Sequence, residues 1–124
     1  MSRYDFGTGL DRYQNFVLDR WAGHPAPGRP KRIGRKAADM RDLYIMSTGL
    51  PGESGEVCEL LKKHVRDGKL DTEKLKKELG DVLFYLTRIA LRFDLTLDEI
   101  ILANVAKLED RAKRNVLHGS GDDR

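Results

Sequence analysis

Between Leu75 and Phe93, apolar side chains recur at Leu75, Leu79, Val82, Leu86, Ile89 and Phe93, in alternating steps of four and three. That spacing follows the 3.6-residue turn of an α-helix. A strand puts every second residue on one face and cannot use it. This stretch is therefore an amphipathic helix, predicted over about Thr72–Arg92 after an Asp71 or Thr72 cap, and its apolar stripe needs other elements to cover it.

Two neighbouring stretches obey the same rule. Upstream, a helix is predicted from about Ala38 to Arg66, ending near Gly68, a residue suited to a left-handed carboxyl-terminal cap. Pro51 interrupts it, and Gly49, Gly52 and Gly55 recur at intervals of three. Two readings are open here, a kink at Pro51 or a glycine ridge that another backbone or a ligand approaches closely. Val57, Leu61 and Val65 form its expected buried side, with Cys58 beside them in the core. Downstream, Thr96-Leu97-Asp98-Glu99 is a capping box flanked by Leu95 and Ile100 as a hydrophobic staple. It opens a helix predicted to reach about Arg114, with Leu97, Ile101, Val105, Leu108 and Ala112 buried. A shorter pattern, Leu10, Tyr13, Phe16, Val17 and Trp21, marks a fourth helix. No segment alternates as a strand does, so the fold class is all-α, a helical bundle within the range of one domain at 124 residues.

Residues 23–38 form a break rich in proline and glycine. Lys31, Arg32, Arg35 and Lys36 follow there with no acidic residue. This arm and the first helix make up residues 1–36, and the main helical domain spans 37–124. The net charge of +3 is too small by itself to indicate a polyanion partner. The single cysteine, Cys58, has no internal disulfide partner, as in a reducing compartment. The longest apolar run, Val82 to Leu86, is far short of the ~20 residues of a membrane span. The amino terminus is studded with charges, unlike a signal peptide. A cytoplasmic protein without a membrane partner is expected.

The residues that carry chemistry are acidic. Glu53 with Glu56, and Glu78 with Asp81, are i,i+3 pairs whose members share a helix face on the shoulder of the apolar stripe. If the two helices pack antiparallel across a short turn, both shoulders meet over one volume. Four partly buried carboxylates repel and favour protonation unless a cation neutralises them. A hard divalent ion with oxygen ligands answers that, Mg²⁺ best of all because it keeps positions for substrate phosphates, with Mn²⁺ as an alternative. The competing reading is a solvated surface, with Lys74–Glu78 and Lys77–Asp81 as ordinary i,i+4 pairs. Glu59 and Lys63 form a further such pair. On the last helix, Asn104, Lys107 and Arg111 line one shoulder. They suit phosphate oxygens, or else pair with nearby acids. No Walker-type glycine loop is present.

At these residues the sequence resembles the MazG-like nucleoside triphosphate pyrophosphohydrolases of the all-α NTP pyrophosphatase superfamily. The matching segments are Gly52-Glu53-Ser54-Gly55-Glu56 and Lys77-Glu78-Leu79-Gly80-Asp81-Val82-Leu83-Phe84-Tyr85-Leu86, with 21 residues between Glu56 and Glu78. Asn104 to Arg111 and the tail Gly119-Ser120-Gly121-Asp122 follow. A weaker match lies at Tyr13-Gln14. The resemblance covers about Leu43–Arg124 and departs at Gly52, where the family pattern has a glutamate. It implies that 37–124 is a catalytic domain cleaving an NTP or dNTP between its α and β phosphates, giving the monophosphate and pyrophosphate. It makes Glu53, Glu56, Glu78 and Asp81 the metal ligands, with Glu53 or Glu56 also orienting the attacking water. Asn104, Lys107 and Arg111 would contact phosphates or sugar, with Lys62 and Lys63 as lesser candidates. It further implies a homodimer or homotetramer.

Two other classes compete with this reading. One is another all-α pyrophosphohydrolase, of phosphoribosyl-ATP or dUTP type. The other is a non-enzymatic module binding nucleic acid or a partner through Arg29, Lys31, Arg32, Arg35 and Lys36; nucleic acid is the less expected partner. Trp21 and Tyr44 are expected in the core, with base stacking as their functional alternative. His24, His64 and His118 are too scattered for a zinc site, and His64 is read as a packed or solvated helix residue.

Overall fold

A computed structural model of the chain describes residues 9–20, 37–116 and 118–122. These hold four helices and no strand: α1 (Leu10–Arg20), α2 (Ala37–Asp67), α3 (Thr72–Arg92) and α4 (Leu97–Lys113). Trp21 and the basic arm lie outside the described residues.

The ends of the helices follow their local chemistry. α2 is one continuous α-helix through Pro51, although proline supplies no N–H to the preceding turn. It stops at Gly68, whose φ of +73° carries the chain into the left-handed region and whose N–H donates to the His64 carbonyl at 2.8 Å. Asp71 caps α3 by accepting from the Lys74 N–H at 3.0 Å. The capping box of α4 is complete. The Glu99 N–H donates to Thr96 Oγ1 at 3.2 Å, and the Thr96 N–H donates to Glu99 Oε2 at 2.6 Å. Asp94, at φ +60°, turns the chain between α3 and α4, in a conformation that aspartate tolerates better than most residues.

α2 and α3 form the main packing pair. α1 packs on α3 and on α4. Gln14 of α1 ties this corner together, because its Oε1 accepts the buried Leu97 N–H of α4 at 3.0 Å. The core lies at this end of the molecule, around Val17, Met46, Ala90 and Leu97, with Thr87 buried among them. A buried ionic ladder also joins α2 to α3 here. Arg88 Nη2 donates to Asp42 Oδ1 at 3.1 Å, and Arg92 Nη2 donates to Asp39 Oδ1 at 2.6 Å. Arg92 Nε stands 3.5 Å from Asp42 Oδ2.

Several side chains expected inside are exposed. Leu61 and Val65 on α2 are open to solvent, Val65 at 86%, and Cys58 is exposed beside them. Tyr44 is 70% exposed, so it does not pack in the core. On α4 only Leu97 of the expected stripe is buried. Ile101, Val105, Leu108 and Ala112 are exposed, as is Leu102 at 69%. The apolar periodicity is present, but among the described residues no second layer lies over these faces of α2 and α4.

Candidate active site

The tight turn at Gly68–Asp71 reverses the chain, and α2 and α3 run antiparallel. Asp42 meets Arg88 at one end, and Glu53 meets Glu78 and Asp81 further along. Carboxylate oxygens of Glu53, Glu78 and Asp81 all lie within 4.8 Å of one another. Glu53 and Glu78 are half-buried and Asp81 is exposed. Partial burial raises the Glu53 pKa above its ordinary value, and the negative charges of Asp81, Glu78 and Glu56 push it further the same way. Neither Lys74–Glu78 nor Lys77–Asp81 forms an ion pair among the described residues, whereas Glu59 pairs with Lys62 at 2.5 Å and Lys63 at 3.7 Å. The i,i+4 lysines therefore do not neutralise the trio.

Glu56 stands outside the trio, although its charge reaches Glu53. Tyr13 of α1 borders the trio from a third element. Its phenol pKa is raised by burial and then by the Asp81 charge. Such a donor set, all oxygen and all anionic, suits a hard divalent cation.

The cationic shoulder is placed differently. Asn104 and Lys107 are exposed, but Arg111 is only 4% exposed. The tail folds back over it. Arg111 Nη2 donates to the carbonyls of Gly121 (3.1 Å) and Asp122 (2.9 Å) and to Asp122 Oδ1 at 3.0 Å. Lys107 Nζ donates to the same carboxylate oxygen at 3.2 Å. These two cations hold the Asp122 pKa below the usual carboxylate range, Lys107 first. Among the described residues the partners of Lys107 and Arg111 are in the tail and not in the acidic trio, and α4 packs on α1. Lys62 is engaged by Glu59 on the surface of α2.

Sequence reasoning missed the ladder of buried Asp42, Arg88 and Arg92 with the part-buried Asp39. The available signal was a pair of arginines four apart, set among the apolar residues of α3, opposite two aspartates three apart. Asp122 belongs to the tail motif, and the fold makes it the counter-ion of Lys107 and Arg111.

The family model for the MazG nucleotide pyrophosphohydrolase domain matches residues 44–116. The Gene 37 protein of Mycobacterium phage L5 is 39% identical over 87 residues, which is 66% of this chain and 76% of that protein. No solved structure matches the chain. None of the described helices is long and apolar enough to cross a membrane.

Proposed function

The chain belongs to the MazG nucleotide pyrophosphohydrolase family, and from that premise we propose that it hydrolyses NTPs or dNTPs to monophosphate and pyrophosphate with Mg²⁺ as cofactor. The observation that carries the reading is the convergence of Glu53, Glu78 and Asp81 inside the segment that matches the family. Their oxygen donors, their net negative charge and the raised Glu53 pKa fit a divalent cation. Mg²⁺ would be held by these three residues, with Glu56 at their edge, and would draw charge from the phosphoryl oxygens as a Lewis acid. Glu56 is the better placed of the two candidate bases, since Glu53 is committed to the trio. In this reading Glu56 orients a water in line with the α–β anhydride bond and accepts its proton. Asn104 and Lys107 contact phosphate or sugar, and Arg111 joins them when Asp122 gives way.

The proposal includes a cytoplasmic homodimer or homotetramer. Ile101, Leu102, Val105 and Leu108 on α4, and Leu79 and Leu83 on α3, are exposed apolar residues of the kind that subunit contacts cover. A second copy is also the simplest way to bring the α4 cations to the acids.

The test is a substrate panel of NTPs, dNTPs, dUTP and phosphoribosyl-ATP with Mg²⁺ or Mn²⁺, monitored for monophosphate and pyrophosphate. Asp81→Asn should lower kcat/KM by more than ~100-fold while helicity is retained, since even outer partners of metal ligands cost ~10–100-fold. Release of orthophosphate and a diphosphate, or normal turnover in Asp81→Asn, would overturn the assignment.

A further inference from the structure

Of the three glycines spaced by three on α2, only one is required by packing. A Cβ added at Gly52 or Gly55 would meet nothing within 4 Å. A Cβ at Gly49 would lie 2.5 Å from Cζ and 2.6 Å from Cδ1 of Tyr85, and closer still to Cε1. The tyrosine ring therefore rests on bare α2 backbone, in space that any larger residue would claim.

The position of this contact is informative. Gly49 precedes Glu53 by four residues and Tyr85 follows Asp81 by four, so on antiparallel helices the ring contact is the rung next to the acidic trio. The ring is also braced. The Arg88 guanidinium carbon sits 5.6 Å from its centroid, and Arg88 is itself fixed by Asp42, which is 1% exposed. Phe84 meets the ring edge-on at 5.7 Å. A rigid aromatic plate against a residue without a side chain defines one helix separation. A flexible aliphatic side chain would permit several.

We propose that Gly49 and Tyr85, braced by Arg88 and Asp42, are positioning residues that set the α2–α3 spacing at the acidic trio and so its affinity for a divalent cation. The proposal rests on the metal-site reading above, and the experiment separates the two. Mn²⁺ alone, titrated into the purified protein and followed by electron paramagnetic resonance of the free ion, reports affinity without turnover. Asp81→Asn serves as the site control. If it leaves Mn²⁺ affinity unchanged, the metal site is misassigned and the spacer proposal is overturned with it.

If Asp81→Asn abolishes binding, the remaining variants decide the spacer alone. Gly49→Ala should weaken Mn²⁺ binding by ~10-fold or more, the scale of disturbing a ligand's support, with helicity retained. The double variant Gly49→Ala/Tyr85→Leu, which removes the overlap, should recover part of that loss. Tyr85→Phe should bind as the wild type does, because the ring and not the hydroxyl is the spacer. Tyr85→Leu alone tests the idea even if Gly49→Ala does not fold, and should weaken binding. Wild-type Mn²⁺ affinity in Tyr85→Leu, or losses in Tyr85→Phe as large as those in Tyr85→Leu, would overturn the proposal.

Discussion

The α2–α3 pair and α4 are built from the same amphipathic grammar but end in different conditions. α3 packs along α2 with Leu75, Val82, Leu86 and Ile89 half-buried and Leu79 and Phe93 exposed, and the two helices are pinned by the Asp42–Arg88 pair and the Gly49–Tyr85 contact. α4 is fastened at its amino end, through Leu97 and Gln14, and then presents apolar residues to solvent over most of its length. The acids lie on the pair that is packed within the chain, so they converge. The cations lie on α4, which leaves much of its length exposed, and there they meet the chain's own tail. The proposed site, which uses both charges, finds its acids already together within the described residues and its cations engaged by the tail.

Breaking the packed half should have the largest effect. Asp42→Ala removes the buried carboxylate that Arg88, and in part Arg92, meets across the two helices. Loss of one member of a buried pair typically costs about 3–5 kcal/mol. Urea unfolding should show that drop as a fall in midpoint. A change below about 1 kcal/mol would mean that the ladder is solvated and the α2–α3 pair is no better fixed than α4.

Breaking the unpacked half should spare the monomer and alter assembly. Val105→Glu places a charge at a position already exposed in one chain. Its helix content should match the wild type. Its mass by light scattering should fall to that of one chain, with activity lost in parallel, if a second copy covers α4. An unchanged mass would separate the exposed face of α4 from any role in assembly.

The smallest effects are those of pH, and they run in opposite directions for the two regions. The raised Glu53 pKa means that the folded, metal-free protein binds this proton more tightly than the unfolded chain does. Stability contributed at this residue therefore rises as pH falls through that raised value. The lowered Asp122 pKa has the reverse sign. The tail contact with Lys107 and Arg111 is present above the ordinary carboxylate range and is lost as pH falls through the depressed value. Thermal melts without metal should thus show a gain on mild acidification that Glu53→Gln removes. Protease sensitivity of the tail should appear only at lower pH and should be reproduced near neutrality by Asp122→Asn. Addition of Mg²⁺ should erase the first effect and leave the second.

Much of this was legible in the residues. The four-three rhythm from Leu75 to Phe93 fixed α3, Thr96 and Glu99 fixed the start of α4, and Gly68 fixed the end of α2, because each is a local device whose partners lie within a turn or two. The acidic pairs were legible as pairs for the same reason. The Asp42–Arg88 ladder was not, since its members are 46 positions apart and a charge in an apolar stripe reads equally as solvent-facing. The exposure of Cys58, Leu61 and Val65 was also hidden. Periodicity says that a face is apolar and is silent on whether anything in the chain reaches it.

The order of residues alone determined an all-helical chain, the bounds of its main helices and the acids that could serve a cation, because helix caps and side-chain spacing act over distances set by one turn. The tertiary structure decided that three carboxylates meet while Glu56 stands aside, that Gly49 is the glycine the packing needs, and that Arg111 holds the tail. Those outcomes depend on how close two helices come and which surfaces remain uncovered, and such separations arise from the fit of whole faces rather than from any local run of residues.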